Sequence, residues 1–275
     1  MIKVEKFTKK YGDFIAVDNI SFEIKENEIV GFVGQNGAGK STTIRCMMNM
    51  LFPTLGKITI NGLDSVIDTK KIKEITSYMP SDTIFYENIK VDDLFKFCLK
   101  FSKKEYSEVE KLAKYFELDL NKRIHELSTG NKKKVSIVEA LLKDNEVIIL
   151  DEPTSGLDPL MQKKFFDLIL KEKAKGVTIF LSSHNLREIE KYCDRVIIIK
   201  SGKIVETIDL KKKQQIKYIV SYVDKKDNKT IYEYDGKIND LIKDLSLLEI
   251  KDLEIRKKTI EEEFISYYES SDENE

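Results

Sequence analysis

The sequence predicts an α/β fold in which helices cover both faces of a parallel β-sheet. Beyond residue 145, short apolar runs without alternation, EVIIL and VTIFLSS, are separated by segments with helical periodicity. Strands that are buried on both faces require such unbroken apolar runs. Between residues 90 and 145, apolar residues recur instead at three- and four-residue spacing, which predicts a helical insert over about 82–145.

The segments before the insert predict strands and one longer helix. IAVDNISFEI and KITING alternate or nearly so, and EIVGFVG is a compact apolar run, as expected of strands. A helix is expected from residue 40 to about 52, where Pro53 ends it. The remaining expected elements are a short helix at 66–76, the strand ITSYMP, helices at 159 to about 173 and across 186–193, and the hairpin RVIIIKSGKIVE.

A change of composition near residue 210 predicts a domain boundary. The segment KKKQQ separates residues 1–210 from a strand pair, IKYIVSYV and KTIYEYDG, and from an amphipathic helix near TIEEEFISYY. Residues 211–275 are therefore expected to form a small α+β extension with an acidic tail.

Composition argues against several classes of protein. The 275 residues carry 47 basic and 48 acidic side chains, a formal net charge of −1, whereas general nucleic-acid binding needs a cationic surplus. The three cysteines are widely spaced and fit neither a disulfide framework nor a zinc site. No stretch approaches the ~20 apolar residues of a bilayer span, and no signal peptide is visible. We therefore expect no nucleic-acid partner and a cytosolic chain.

A glycine-rich segment, GQNGAGKS, runs from Gly34 to Ser41 between an apolar strand and a helix. It satisfies the pattern G-x-x-x-x-G-K-[ST], in which backbone N–H groups wrap a polyphosphate at the positive end of the helix. Lys40 would neutralise the β and γ phosphates, and the Ser41 hydroxyl would ligate Mg²⁺. The flanking strand and helix argue against an ordinary glycine turn.

The segment VIILDEP supplies a pair of acids. A buried strand that ends in Asp151 places a carboxylate where it can hold the water shell of a metal ion. Glu152 is then positioned to polarise an attacking water. Alone, the segment would indicate a strand-end acidic turn stopped by Pro153; together with the glycine-rich loop, it indicates hydrolysis.

Two further motifs follow in order. Ser128 and the N–H groups around Gly130, in LSTGN, predict a second anion-binding helix start. His184 follows VTIFLSS, at the edge where a parallel sheet presents ligands. In isolation, these residues would indicate a plain helix N-cap and a structural histidine. The lysines 132–134 are interpreted as a solvated helix start.

In these four motifs the chain resembles the ATP-binding subunit of an ABC transporter, over about residues 1–210. The resemblance implies a RecA-like P-loop NTPase core with an antiparallel β subdomain and a helical insert, using ATP and Mg²⁺. It also implies a head-to-tail dimer with a second copy or a related subunit. An integral membrane permease of about six spans is the further partner, which places the chain at the cytoplasmic face of the cell membrane. The C-terminal tail resembles that of the drug-, antibiotic- and peptide-export branch, so export is expected.

The resemblance also implies individual roles. Tyr11 stacks on adenine, and Asp158 lies in the D-loop beside the nucleotide. Glu152 is the catalytic carboxylate, assisted by His184 and by Lys40. Ser128 and Gly130 of one subunit contact the γ-phosphate that the other subunit holds. The loop that surrounds the phosphates comprises Gly34, Gln35, Asn36, Gly37, Ala38, Gly39, Lys40, Ser41 and Thr42.

The sequence departs from the family pattern at two places. Thr129 and Asn131 replace a glycine and a glutamine of the signature. In YMPS, Ser81 stands where the family normally carries glutamine. Ser81 would ligate Mg²⁺ by its hydroxyl, or Asp82 would do so through water, or the loop would mainly transmit a conformational signal; these alternatives stay open.

Two other classes of P-loop protein are compared with this sequence. A P-loop GTPase needs an N-K-x-D segment, and Asn131-Lys-Lys-Lys lacks the aspartate. A soluble regulatory ATPase that never contacts a membrane remains the alternative. A groove at the helical insert distinguishes the two, because a transporter subunit must receive a segment of its membrane partner.

Overall fold

The chain divides into two units, one ending at residue 208 and the other beginning at residue 209. The computed structural model describes residues 1–82, 84–212, 217–259 and 262. In this part of the chain, no helix is both long enough and apolar enough to cross a bilayer.

The first unit alternates strands and helices along the chain. Its strands are β1 (Ile2–Tyr11), β2 (Phe14–Ile24), β3 (Ile29–Val33), β4 (Leu55–Ile60), β5 (Leu63–Asp64), β6 (Thr76–Met79), β7 (Val147–Asp151), β8 (Thr178–Ser183), β9 (Arg195–Lys200) and β10 (Lys203–Asp209). Its helices are α1 (Lys40–Met47), α2 (Thr69–Ile75), α3 (Val91–Leu99), α4 (Tyr106–Phe116), α5 (Thr129–Leu141), α6 (Pro159–Ala174) and α7 (Leu186–Tyr192).

Two sheets organise these strands. The larger has the order β10-β9-β3-β8-β7-β6, in which β9, β3, β8, β7 and β6 are parallel neighbours. The smaller has the order β2-β1-β4-β5 and is antiparallel. Every residue of β3, β7 and β8 is buried, as the unbroken apolar runs predicted. The α/β class and the antiparallel β subdomain are thereby confirmed.

An aromatic cluster joins the two sheets. The ring of Phe22, on β2, lies 5.7 Å from that of Phe32, on β3, and 5.9 Å from that of Phe180, on β8. The rings of Phe32 and Phe180 are 5.4 Å apart. Buried aromatic pairs at these separations add to the apolar burial, so the antiparallel sheet is held firmly against the parallel one.

Most predicted elements are present, with one clear correction in the N-terminal half. Helix α1 ends at Met47 rather than near residue 52. The physical reason is Asn49, whose φ of 51° lies in the left-handed region. A residue in that conformation ends a helix before any proline is reached.

The second unit is a small α+β structure. Strands β11 (Tyr218–Asp224), β12 (Lys229–Tyr234) and β13 (Ile250–Lys257) form an antiparallel sheet in the order β12-β11-β13. Helix α8 (Ile238–Ser246) buries Leu241 and Leu245 against Val220. The sequence analysis missed α8 and β13. The helix expected near residues 259–268 lies outside the described residues except at 259 and 262.

Candidate active site

The glycine-rich loop joins β3 to α1. Gly39 has a φ of 107°, and a Cβ there would lie 2.8 Å from the carbonyl oxygen of Ala16. A Cβ on Gly34 would lie 2.4 Å from the carbonyl oxygen of Ile199. Only glycine fits these two positions, so the loop packs closely against β2 and β9 while its tip, at Gln35 and Asn36, is exposed.

Lys40 fills the centre of this loop. Its side chain is only 6% exposed, and its Nζ donates to the carbonyl oxygens of Gly34 and Gln35 at 2.7 and 3.3 Å. The same Nζ lies 3.3 Å from Glu152 Oε1. A buried ammonium needs counter-charge and acceptors, and both are provided here. Ser41 and Thr42 follow, half-buried, in the first turn of α1.

Asp151 is the last residue of β7 and is fully buried. Its Oδ1 accepts a hydrogen bond of 2.6 Å from the Ser182 hydroxyl, and Ser182 Oγ in turn accepts from the backbone N–H of Glu152 at 3.0 Å. Asp151 Oδ2 is buried and has no hydrogen-bond partner among the described residues. Native structures rarely leave a buried carboxylate oxygen unsatisfied. This oxygen is therefore a candidate donor to a bound ligand.

Glu152 connects Lys40 to His184. Its Oε2 lies 2.7 Å from His184 Nδ1, while Oε1 faces Lys40. Glu152 is 16% exposed and His184 is 62% exposed, so the imidazole forms the solvent side of the site. The φ of Glu152 is 50°, a strained value for a residue with a side chain, and such strain concentrates at functional sites.

Thr154 and Glu188 support this arrangement, and sequence analysis missed both. The Thr154 hydroxyl donates to Glu188 Oε2 at 2.8 Å. Burial raises the pKa of Glu188, and the hydrogen bond from Thr154 opposes that shift. The bond joins the loop after β7 to α7, which begins directly after the His184 segment.

An open cleft of about 410 Å³ lies over these groups. Ser81 and Asp82, which follow β6, line this cleft together with the tip of the glycine-rich loop and with Glu152. The lining residues are Gln35, Asn36, Ser81, Asp82, Glu152, Ser155 and His184.

Lys133, which the sequence analysis interpreted as part of a solvated helix start, is buried. It is 7% exposed, and its Nζ donates to the carbonyl oxygen of Ser81 at 3.0 Å. Burial lowers the pKa of the Lys133 ammonium, and the carboxylates of Asp151, Glu152 and Asp82 oppose that shift. The interpretation was wrong at this lysine. The available signal was its helical spacing with Ile137 and Leu141, which are also buried.

Ser128, Gly130 and Asp158 form a second surface. Ser128 caps α5, accepting from the N–H of Asn131 at 3.3 Å, and Asp158 caps α6, accepting from the N–H of Met161 at 3.0 Å. A Cβ on Gly130 would lie 3.4 Å from the carbonyl oxygen of Gly156, so the two helix starts are neighbours. Among the described contacts, none joins Ser128 or Gly130 to Lys40.

Tyr11 lies at the end of β1. Its ring is 46% exposed, and Lys9 Nζ lies 5.0 Å from the ring centroid. The backbone of Tyr11 pairs with Phe14 in the β1–β2 hairpin, and the ring contact described is the one with Lys9 rather than with the Lys40 cluster. Tyr11 therefore remains partly exposed, and its stacking on adenine stays a prediction.

Together, the glycine-rich loop, the strand-end acids and the histidine define a P-loop nucleotide hydrolase with a parallel sheet core. The ABC transporter family model matches residues 17–155. The chain is 39% identical over 213 residues to the uncharacterized ABC transporter ATP-binding protein MJ1023 of Methanocaldococcus jannaschii, covering 74% of this chain and 76% of that protein. The chain belongs to the ABC transporter family, and it is an ATPase.

Two other similarities are informative. The bacitracin transport ATP-binding protein BcrA of Bacillus licheniformis is 37% identical over 226 residues, which cover 80% of this chain and 74% of that protein. The dimeric structure of the bacterial ABC transporter cassette MJ0796 superposes with a TM-score of 0.71 at 23% identity, covering 77% of this chain and 99% of that one. The similarity to MJ0796 shows that this chain has the ABC cassette fold.

Proposed function

We propose that this chain hydrolyses ATP to drive the export of a hydrophobic or amphipathic substrate, such as an antibiotic, a bacteriocin, a cytolytic peptide or a drug, through a separate membrane subunit. Membership of the ABC transporter family supports the part of this proposal in which ATP hydrolysis drives transport. The similarity to BcrA, a bacitracin transport protein by name, supports a peptide antibiotic as cargo. The observation that carries the hydrolysis is the continuous chain of contacts from Lys40 through Glu152 to His184.

The residues present fit a magnesium–nucleotide complex. Mg²⁺ prefers oxygen donors and is usually held by one or two carboxylates, substrate phosphates and water. The unsatisfied Asp151 Oδ2 is such a donor. We place Asp151, the Ser41 hydroxyl and Ser81 around the metal, and the loop 34–42 around the phosphates. When bound, the ion neutralises charge that develops on the transferred phosphoryl group.

Glu152 orients the attacking water in this proposal. When phosphate replaces Glu152 as the partner of Lys40, the carboxylate becomes available to accept a hydrogen bond from water. His184 Nδ1 then fixes one carboxylate oxygen of Glu152, and the left-handed backbone of Glu152 sets the direction of its side chain. A carboxylate fixed in this way contributes as a general base.

The surface of Ser128, Gly130 and Asp158 meets a partner subunit in this proposal. Within one chain these residues are separate from Lys40, so they complete a phosphate site only by facing another cassette. MJ0796, a bacterial ABC transporter cassette of the same fold, has a dimeric structure. A head-to-tail pair with a second copy or a related subunit would bury two ATP molecules between the subunits.

An apolar groove favours a membrane partner over the alternative, a soluble regulatory ATPase. The groove, of about 700 Å³, lies where β6 and its following loop meet α3 and α5. Large apolar side chains stand exposed in it, and their burial would favour docking. Those side chains are Met50, Ile84, Tyr86, Phe97 and Phe101.

Co-purification with an integral membrane protein tests the proposal. Phe97→Asp is expected to release the subunit from membranes while its basal ATPase rate is unchanged, since Phe97 lies outside the nucleotide cleft. Phe52→Asp is the matched control, because Phe52 is also exposed but does not line the apolar groove. If the unaltered chain never joins the membrane fraction, the soluble alternative is correct. Uptake of labelled bacitracin and other peptides into inverted vesicles identifies the cargo.

A further inference from the structure

Lys133 is a buried cation that the proposed mechanism does not use. It lies on α5 with 7% of its surface exposed, whereas its neighbours Lys132 and Lys134 are half-buried. Removing an ammonium from water costs several kcal/mol unless acceptors and opposite charge replace the water. Its burial therefore calls for a structural or functional reason.

The reason lies in what its side chain reaches. Lys133 Nζ donates to the carbonyl oxygen of Ser81 at 3.0 Å. Ser81 and Asp82 line the nucleotide cleft together with Glu152. Lys133 also experiences the negative charge of Asp151, Glu152 and Asp82. The ammonium thus binds the loop after β6 and lies within reach of the negative charge of the proposed site.

The bond also joins two parts of the site. The helix that carries Lys133 begins with Thr129 and Gly130 and is capped by Ser128. The loop that receives the bond forms a wall of the cleft in which the chain's own nucleotide would lie. One side chain therefore ties the start of α5 to the wall of the cleft.

We propose that Lys133 is a positioning residue for ATP hydrolysis, which holds the Ser81–Asp82 loop in place through the Ser81 main-chain carbonyl. Because the bond uses the main chain, it leaves the Ser81 hydroxyl and the Asp82 carboxylate facing the cleft. A serine side chain is short, so its hydroxyl reaches a ligand only if the backbone is held close. This inference rests on the proposed nucleotide site, but on no particular cargo or membrane partner.

Lys133→Met tests the inference, because it keeps the length and removes both charge and donor. We expect kcat for ATP hydrolysis to fall at least about tenfold, since small misplacements at a reacting centre are costly, with KM for ATP within about twofold. Any fall in melting temperature should be small and should not account for the loss of kcat, because relief of the ammonium's desolvation offsets the lost hydrogen bond and the lost attraction of the carboxylates. Hydrogen exchange in a peptide covering residues 78–82 should accelerate.

Two variants complete the design. Lys133→Arg retains charge and donors and should recover most of the rate, and Lys134→Met, on the same helix, should match the unaltered protein. The inference is overturned if Lys133→Met keeps normal kcat and exchange, or if kcat and melting temperature fall together and arginine restores neither. Glu152→Gln, assayed in parallel, tests the proposed site itself. If Glu152→Gln abolishes turnover while Lys133→Met keeps a normal kcat, only the role of Lys133 fails.

Discussion

Lys40 Nζ lies 3.3 Å from Glu152 Oε1, so the cation that we propose to bind phosphate and the proposed catalytic carboxylate are paired within one chain. Both side chains are largely buried, which strengthens their attraction relative to a surface pair. A nucleotide phosphate competes with Glu152 for the same ammonium. ATP binding would thus release Glu152 at the moment when the phosphate that it must help to hydrolyse arrives.

Replacing Glu152 with glutamine keeps the size of the side chain and removes its charge. We expect ATP turnover to fall at least ~100-fold, the scale of a lost general base. ATP binding should persist or tighten, because the neutral amide competes less strongly for Lys40. Steady-state phosphate release and calorimetric titration measure the two quantities separately.

Glu146→Gln is the control for that experiment. Glu146 lies at the opposite end of β7, where its Oε2 accepts from the side chain of Asn61 at 2.8 Å. Its variant should hydrolyse ATP at the normal rate. Near-normal turnover by Glu152→Gln would remove Glu152 from the mechanism.

Lys40→Ala is expected to weaken ATP binding itself. The phosphates would lose a charged hydrogen-bond donor in a largely buried loop, and charge-assisted bonds are the stronger ones. Isothermal calorimetry on the folded variant should show an affinity at least about tenfold lower. Lys57→Ala, which removes an exposed lysine 3.4 Å from Asp64, should bind ATP normally. Equal affinity in the two variants would contradict the role of the loop.

The proximity of Lys40, Asp151 and His184 was predictable because these residues occupy topologically fixed places. Lys40 opens the helix after one buried strand, Asp151 ends another and His184 follows a third. The carboxyl ends of parallel strands meet at one edge of a sheet, so strand order alone brings these groups together. The direct contact of Lys40 with Glu152 was not predictable, because it depends on side-chain geometry.

Other features depend on packing that no local pattern reveals. Lys133 is buried only because α5 lies beside the loop after β6, a relationship between segments more than fifty residues apart. Strand β13 is mostly charged and exposed, and its conformation comes from pairing with β11. The i, i+4 spacing of Leu241 and Leu245 does predict the helix α8, although the sequence analysis did not identify it.

The second unit offers a pH-dependent contact. Arg256 binds both carboxylate oxygens of Glu262, at 2.8 and 2.6 Å. The guanidinium, assisted by the N–H of Thr259, lowers the pKa of Glu262 to about 2. Because the folded pKa is depressed, the contact stabilises the fold above the ordinary carboxyl pKa of about 4.3 and is lost as pH falls towards 2.

An NMR titration of the Glu262 carboxyl tests this directly, with a midpoint expected at about 2. Arg256→Met should return the midpoint towards the ordinary value. Lys251→Met, which removes the exposed partner of Asp227 at 2.6 Å, should leave it unchanged. An ordinary midpoint for Glu262 in the unaltered protein would show that the pair does not form in solution.

Ser81 is one of the positions at which this chain departs from its family pattern, and the structure allows its side chain to be tested apart from its backbone. Lys133 binds the Ser81 carbonyl oxygen, so Ser81→Ala removes the hydroxyl and retains that bond. If the hydroxyl contacts the metal ion, Ser81→Ala should lower kcat and raise the Mg²⁺ concentration for half-maximal activity. ATP binding should change little, because Lys40 and the loop still hold the phosphates.

Two comparisons decide between the remaining roles of this loop. Ser81→Gln should be tolerated if an oxygen donor is what the position requires, and Asp82→Asn should reduce the rate only if that carboxylate acts through water. If the loop mainly carries a conformational signal, Ser81→Ala will hydrolyse ATP normally alone and lose only its stimulation by the membrane subunit. Measuring turnover with and without that subunit separates the cases. A Ser81→Ala protein that matches the unaltered chain in both settings would exclude both roles for the hydroxyl, and Asp82, on the same wall of the cleft, would then be the metal contact to examine.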